Sequence, residues 1–401
     1  MKVCSSHYRK TLASSALPIV ALVLALFHAH AALAADAKGR LITSAAIVIN
    51  PVTHKAYAVD ESTDSLLVID EGTGYTRRVA VGKAPIAVAA LPELNRVYVV
   101  NTGSNSISVI DGAQDRVITT IKGGSHPYTV AANKSTNTVY VTYTYDRILT
   151  VIDGATNTSR SLTTGSADAI QIDERTNTLF LSTYEDPFVR IVDAASGAIR
   201  KVKVGGHIWG LVFDAANAKL YLAHTMTADV TSIDEKTEET ATIPVGQIPC
   251  ALAFSPSVHR LYAVNYADRT LSVIDTGGAK VIHVIPIGDH PQAIAIDAKS
   301  NRVYVANVHG NSVTVIDTIE NTVLGTFPVD EHPYALAVDE TTGQTYAAVY
   351  DPRWRSTSGF HELRYERKRR GESCKEHPPG TRGLGTRLLL VRKTNRIQVP
   401  G

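Results

Sequence analysis

The chain has 401 residues, of which 44% are hydrophobic and 19% charged, so its composition excludes a disordered protein. Three cysteines, Cys4, Cys250 and Cys374, are too few for a disulfide-stapled scaffold or a multi-cysteine zinc or iron–sulfur site. No Cys-x-x-Cys-His run occurs, so no covalently attached haem is expected. The formal net charge is only +2, but the charges are divided unevenly along the chain.

Residues 1–34 have the organisation of an export signal. Three basic residues precede an apolar run at 11–27, and Ala32-Leu33-Ala34 then fits the small-residue rule for cleavage. We therefore predict a mature start near Ala35 in the periplasm or outside a bacterium. A retained transmembrane anchor is the alternative, which the short apolar run disfavours. No long apolar run follows, so we expect no membrane span after cleavage.

The body of the chain repeats about every 41 residues. A run of the type hydrophobic-x-Val/Ile-Ile/Val-Asp ends at seven aspartates spaced 40 to 42 residues apart, namely Asp70, Asp111, Asp153, Asp193, Asp234, Asp275 and Asp317. Each unit also contains a run such as VYVAN (303–307), a run such as VGKAP (81–85) and an alternating run such as AIAID (293–297). Turn residues separate these runs about every 8–12 residues, which predicts strands.

Four strands per unit and a period near 41 predict an all-β protein, a β-propeller of four-stranded antiparallel blades. We name the strands A (AIAID), B (VYVAN), C (VTVID) and D (TVLGTFPV) in the order in which they occur within a unit. The competing repeat architecture is a solenoid, whose coils are usually shorter.

Seven repeats are complete and an eighth is partial. The first A strand is predicted at Ala45–Asn50 and the last at Tyr334–Asp339, after which only a B run, Thr345–Val349, is recognisable. We therefore expect a propeller at 41–350 and a tail at 352–401 outside the closed ring. The tail is interpreted as a frameshifted, foreign or disordered extension, with a genuine basic tail as the alternative. Within it only LLLV (388–391) and RIQV (396–399) have the pattern of a late hairpin.

The repeat phrases VYVAN, VYVVN and VGxxP resemble the YVTN-type β-propeller repeat over roughly residues 41–350. That family includes periplasmic YncE-like proteins and archaeal surface-layer proteins, so the resemblance implies the propeller fold but no single function. YncE-like relatives have been linked to single-stranded DNA. The tail carries 13 basic and 4 acidic residues and the signal 3 basic ones, which leaves a net charge of −10 on 36–351. An acidic body predicts no specific nucleic-acid partner.

The recurring residues of the repeat have structural explanations. We expect the seven aspartates to cap the C–D turns by accepting backbone N–H bonds. We expect the glycine of VGxxP to supply a positive φ in the D–A crossover, and the proline to fix φ where the innermost strand begins. Cys250 begins an A strand and is expected to pack as a small buried hydrophobe.

Candidate binding residues are those where copies of the repeat differ. Strands B and D run in the same direction, so the B–C and D–A loops emerge together on what we call the B/D face. There, blades 3 to 5 depart from the consensus, and Trp209 is interpreted as replacing a crossover proline that five other units carry. Aromatic and histidine side chains suit a ligand-binding mouth. The predicted ligand-binding residues are Tyr143, Tyr145, Tyr184, His207, Trp209 and His224. The alternative is that these aromatics fill a wider gap between blades.

Three histidines precede crossover prolines and are weak candidates for a metal site: His126, His290 and His332. Because neighbouring sheets lie about 10 Å apart, histidines from separate blades converge only near the axis. We therefore predict no metal and no cofactor.

The sequence favours an exported, monomeric, non-enzymatic propeller that binds a small ligand, a cell-envelope component or a protein partner through the B/D face. The alternative is a propeller enzyme, either a lactonase-like metal hydrolase or a quinone-dependent dehydrogenase, which needs carboxylates or histidines that converge on a metal. Nucleic-acid binding, as in YncE-like relatives, and a purely structural surface protein are further alternatives.

Overall fold

A computed structural model describes residues 44–329, 332–350 and 386–391, the last of these as backbone only. These residues form 31 strands in eight antiparallel sheets. The first four sheets contain β1 (Ile47–Asn50), β2 (Lys55–Asp60), β3 (Ser65–Asp70) and β4 (Thr76–Ala80); β5 (Pro85–Leu91), β6 (Arg96–Asn101), β7 (Ser106–Asp111) and β8 (Arg116–Lys122); β9 (Pro127–Asn133), β10 (Thr138–Tyr143), β11 (Ile148–Asp153) and β12 (Ser159–Thr163); β13 (Ala169–Asp173), β14 (Thr178–Ser182), β15 (Phe188–Asp193) and β16 (Ile199–Lys203).

The last four sheets contain β17 (Ile208–Asp214), β18 (Lys219–His224), β19 (Asp229–Asp234) and β20 (Thr240–Pro244); β21 (Pro249–Ser255), β22 (Arg260–Asn265), β23 (Thr270–Asp275) and β24 (Lys280–Pro286); β25 (Pro291–Asp297), β26 (Arg302–Asn307), β27 (Ser312–Asp317) and β28 (Thr322–Pro328); β29 (Pro333–Asp339), β30 (Gln344–Tyr350) and β31 (Thr386–Val391). Short 3₁₀ turns lie at Ser44–Ala46, Glu61–Thr63, Pro92–Leu94 and Thr102–Ser104. Within these described ranges no helix is long and apolar enough to cross a membrane.

The sheets close into a ring through their first strands. Each A strand contacts the A strand of the next sheet, and β29 of the eighth sheet contacts β1 of the first. Seven sheets have four strands and the eighth has three, which confirms the prediction of an all-β propeller with seven complete repeats and a partial eighth.

The third strand of the eighth sheet comes from the tail. Strand β31 pairs antiparallel with β30, with Leu389 opposite Ala347. This differs from the expectation that all of 352–401 lies outside the ring. The physical reason is that two strands leave an unpaired backbone edge, and the apolar run at 388–391 can satisfy it across a long sequence separation. The segment RIQV (396–399) lies outside the described residues.

The core lies between the sheets and is built from the A, B and C strands. The aromatic residue of each VYVAN-type run is buried, as are its neighbours, whereas the D strands on the outside are mostly exposed, with one buried residue in most of them. The buried aromatic residues at this repeat position are Tyr57, Tyr98, Tyr140, Phe180, Tyr221, Tyr262, Tyr304 and Tyr346. One large side chain per blade therefore fills the space to the next sheet, which is why the repeat retains it.

The aspartates that end the C strands cap the following turns, as predicted. Asp111 Oδ1 accepts the backbone N–H groups of Ala113 and Gln114 at 2.9 and 3.2 Å. Asp193 accepts those of Ala195 and Ser196 at 2.9 and 2.8 Å. The backbone hydrogen bond from Ser196 is the largest of several that lower the pKa of Asp193.

Two crossover glycines, Gly165 and Gly205, have the expected positive φ, at +87° and +97°, whereas Gly82 and Gly246 are explained by packing. The left-handed residue of the crossover is the one before the proline, such as Ala84 at φ +50° or Ile248 at φ +54°, and Gly82 and Gly246 do not have a positive φ. A Cβ on Gly246 would lie 2.7 Å from Cγ of Asn265, which ends the B strand of the same blade. The expectation of a positive φ was therefore wrong at Gly82 and Gly246, where the buried asparagine of the repeat occupies the space beside the glycine.

Candidate functional site

The B/D face is assembled by hydrogen bonds between the two loop types. In four of the described blades, the first residue after the B strand donates its backbone N–H to the carbonyl of the left-handed crossover residue. This bond is 3.0 Å long from Thr102 to Ala84, and from Val308 to His290. The predicted common face of the B–C and D–A loops is thus present, and it places equivalent side chains from each blade beside one another.

Histidines occupy four of the left-handed crossover positions. They are His126, His207, His290 and His332, with φ between +49° and +63°. Histidine is among the residues enriched at positive φ. Ala84 and Ile248 hold the same position in other crossovers, so the turn itself does not require an imidazole.

Three of the predicted ligand-binding residues meet in one patch, which we call the aromatic triad: Tyr184, His207 and Trp209. The ring of Tyr184 makes edge contacts with both partners, with centroid separations of 5.1 Å to His207 and 5.6 Å to Trp209. His207 is exposed, whereas Tyr184 and Trp209 are half-buried. The triad therefore presents flat apolar rings with polar edges to solvent, held in place by their mutual contacts.

Buried polar groups support the triad from below. Asp168 Oδ2 accepts the backbone N–H of Tyr184 at 3.1 Å, and the Arg190 guanidinium donates to the carbonyl of Ser166 in the neighbouring crossover. Burial raises the pKa of Asp168 and lowers that of Arg190. The first contact holds the B–C loop that carries Tyr184, and the second holds the D–A crossover that leads into the same blade.

Two other predicted residues lie inside the blades. Tyr143 is fully buried, and its hydroxyl lies 2.8 Å from Thr150 Oγ1. His224 is 2% exposed, and its Nδ1–H donates to the Gly206 carbonyl at 3.1 Å. In this structure neither offers surface to a ligand, a placement that fits the alternative of gap-filling side chains.

The remaining predicted residue, Tyr145, is 73% exposed and lies apart from the triad. Its ring makes an edge contact with His126 at 5.2 Å between centroids. The structure thus divides the six predicted residues into a solvent-facing triad, one separate exposed ring and two core side chains.

Trp209 does not stand at the crossover proline position. Ile208 pairs with His224 in the register in which Pro249 pairs with Asn265, so Ile208 replaces the proline. Trp209 corresponds to Cys250 one blade later and packs partly against the core cluster that contains Cys250. The interpretation of Trp209 as the residue that replaces the proline was therefore wrong by one position, because this crossover has no proline to mark the start of the strand.

A second cluster spans the loops of the last three blades. Tyr266, His290, His309 and His332 follow one another around the ring, with centroid separations of 4.8, 4.2 and 6.2 Å. His309 was not among the residues predicted from the sequence, although it holds the same B–C loop position as Tyr145. His126 lies elsewhere, so the three histidines considered as metal candidates do not form one group.

Cys250 is buried, and burial raises the pKa of its thiol to about 12. Its sulfur lies 3.5 Å from the carbonyl oxygen of Pro291. The expectation that Cys250 packs as a small buried residue is confirmed.

A family model described as YNCE-like beta-propeller matches residues 16–342. No curated protein matches the sequence at a significant level. Many solved structures share the fold. One is described as the dihydro-heme d1 dehydrogenase NirN in complex with DHE, with 13% identity, a TM-score of 0.65, and coverage of 76% of this chain and 70% of that one. Another is Kuenenia stuttgartiensis hydrazine synthase, with 20% identity, a TM-score of 0.53, and coverage of 77% and 94%. At these identities the likeness concerns the fold alone.

Proposed function

This chain belongs to the YncE-like β-propeller family, and from that premise we propose that it is an exported, non-enzymatic protein that binds a ligand or protein partner through the B/D face. The observation that carries the proposal is the aromatic triad. Its rings lie at the loop surface or at the start of β17, both His207 and Trp209 contact Tyr184, and the three occupy positions where the repeat does not require them.

The other blades show what these positions hold when they serve the fold alone. In the B–C loop, Thr102 and Val308 stand where Tyr184 stands; in the crossover, Ala84 and Ile248 stand where His207 stands. Small or plain apolar residues therefore suffice for the turns. Tyrosine, tryptophan and histidine combine a large contact area with hydrogen-bonding edges, which is the composition typical of binding surfaces.

The charge of the body argues for the class of ligand. Residues 36–351 have a net charge of −10, which disfavours phosphate-rich polymers. The triad favours a ligand with a flat apolar or aromatic body, either a small molecule or an aromatic side chain of a protein. The NirN structure contains DHE, so one protein with this fold is known together with a small ligand. Residues 1–34 support export, and we expect the mature protein to be a monomer.

Trp209 provides the test. The sequence has two tryptophans, so Trp354→Phe leaves Trp209 as the single tryptophan, which can be excited selectively at wavelengths that tyrosine does not absorb. Mature protein would be screened by thermal shift against a panel of aromatic small molecules and tryptophan- or tyrosine-containing peptides. We expect hits to change Trp209 fluorescence and to lose affinity in Tyr184→Ala. Hits that stabilise the protein but leave both readouts unchanged would contradict the proposal. Tight binding of a single-stranded oligonucleotide at physiological salt would favour the nucleic-acid alternative.

The enzyme alternative has one observation in its favour. A catalytic metal needs histidines and carboxylates that converge, and the second cluster on the B/D face contains such a group.

A further inference from the structure

We propose that Asp289, His290 and His309 bind a divalent first-row transition-metal ion on the B/D face, an inference that goes beyond the function proposed above and does not depend on it. The three residues come from the crossover into the seventh blade and from the B–C loop of that blade. The hydrogen bond from Val308 N–H to the His290 carbonyl, 3.0 Å long, holds the two loops together.

The donor atoms are close enough to share one ion. One nitrogen of each imidazole and one carboxylate oxygen all lie within 4.8 Å of one another. Ligand atoms around a tetrahedral ion with bonds of 2.0–2.1 Å lie about 3.3 Å apart, so small side-chain rotations complete the geometry. The His290 and His309 rings are 4.2 Å apart between centroids and tilted by 46°, so the two imidazoles lie side by side across the two loops.

The fold does not require any of the three side chains. Other blades of this chain hold Gln247 in place of Asp289, Ile248 or Ala84 in place of His290, and Ala267 in place of His309. The same turns therefore form without them. Two imidazoles and a carboxylate in adjacent loops are explained by a ligand that uses all three.

A cation bound at this site would compete with an existing partner of the Asp289 carboxylate. Asp289 Oδ1 accepts from Arg269 Nε at 2.9 Å and lies 2.8 Å from His290 Nδ1. A bound ion would share this carboxylate with the guanidinium. Removal of the Arg269 side chain is therefore expected to strengthen metal binding, because it frees the Asp289 carboxylate from its ion pair.

The donor set selects the class of ion. Imidazole nitrogen with carboxylate oxygen suits Zn²⁺, Co²⁺, Ni²⁺ or Fe²⁺, whereas Ca²⁺ and Mg²⁺ prefer oxygen ligands alone. Three protein ligands leave positions for water or a ligand on the solvent side, as in sites that are not purely structural.

The experiment is a titration of tag-free mature protein with Zn²⁺ and Co²⁺ by calorimetry and Co²⁺ absorption. Cys374→Ser and His377→Ala form the background of every protein, because these residues near the C-terminus are potential ligands outside the described ranges. We expect one ion per chain. His290→Ala and His309→Ala are each expected to weaken binding at least about tenfold, with unchanged melting temperatures in the absence of metal, and Asp289→Gln to weaken it less.

His126→Ala is the matched control, since it changes the same turn position on another blade and should leave the affinity within about twofold. Arg269→Gln should increase the affinity. Ca²⁺ and Mg²⁺ should not compete. Zn²⁺ binding that survives both His290→Ala and His309→Ala, or no binding by the background protein, would overturn the proposal.

Discussion

His54 and Asp339 are separated by 285 residues in sequence, yet His54 Nδ1 donates to Asp339 Oδ2 at 2.9 Å where the eighth blade meets the first. The same contact type joins other neighbours, since Asn50 donates to Asn95 and Asn133 donates to Asn177. The ring is thus closed by an ionisable version of an amide–amide contact that is found between other blades. Closure therefore depends on pH in a way that those junctions do not.

Glu71 is expected to make ring closure less stable as the pH rises. Burial and the neighbouring Asp339 carboxylate raise the pKa of Glu71 from 4.5 to about 7. The Thr342 hydroxyl donates to Glu71 Oε2 at 3.3 Å. A carboxyl whose pKa is higher in the folded state than in the unfolded state binds more protons when folded. The free energy of unfolding therefore falls as the pH rises from about 4.5 to about 7. Glu71→Gln should raise stability at pH 8 by about 1 kcal/mol, after allowance for partial solvent screening, and flatten the profile. Denaturation curves at pH 5 and pH 8 would measure this.

His54 contributes a pH dependence of the same sign. Its hydrogen bond to Asp339 raises its pKa, so the stability it provides is present below about pH 6.5 and is lost as the pH rises through the folded value. His54→Asn, which copies Asn95 of the next blade, should retain the contact without this dependence. A variant whose stability still falls with pH as steeply as the wild type would contradict this assignment.

Gly246→Ala is expected to destabilise the propeller by about 1–3 kcal/mol, because the new methyl group would overlap with Asn265 at 2.7 Å. Gly277→Ala is the control. It adds the same group in the same blade, with its nearest neighbour 3.8 Å away and no positive φ. Urea midpoints of the two variants should differ clearly, and equal midpoints would refute the packing explanation.

Trp209→Ala is expected to weaken partner binding by about 2 kcal/mol or more, the scale of an interface hot spot. Its stability should fall by less than the ~3–5 kcal/mol of a core aromatic, because the ring is half-buried. Tyr145→Ala, at an exposed ring outside the triad, should affect neither. A strongly destabilised Trp209→Ala protein that binds normally would reduce the triad to blade packing.

Removal of strand β31 should weaken the eighth blade. A chain that ends after Tyr350 loses the backbone pairing of β30 with β31, whereas a chain that ends after Lys393 retains it. We expect the first truncation to lower the melting temperature and increase aggregation through the exposed edge, and the second to behave as the full chain. Equal stability of the two would show that the tail strand is dispensable.

Export is tested by N-terminal sequencing of the protein from a bacterial periplasm. Cleavage after Ala34 is expected from the small residues at 32 and 34. An intact Met1 on the periplasmic protein would contradict it.

Much of this protein follows from local sequence. The 41-residue period, the alternation within each run and the turn aspartates act over a few residues, so the blades, their strand order and the caps at Asp111 and Asp193 were predictable. The common B/D face also followed, because strand direction is set by antiparallel hairpins. Tyr184 and His207 were recognisable as departures from the repeat on that face.

The tertiary structure decided what depends on distant residues. The pairing of β31 with β30 and the contact of His54 with Asp339 join segments without local signals, and their stability comes from satisfying an open sheet edge and a ring junction. The direction of individual side chains could not be predicted from the sequence either. Tyr143 points into the core, whereas Tyr145, two residues later, is exposed. The group of Asp289, His290 and His309 exists only because neighbouring loops are hydrogen-bonded, which places residues 19 and 20 positions apart within reach of one ion.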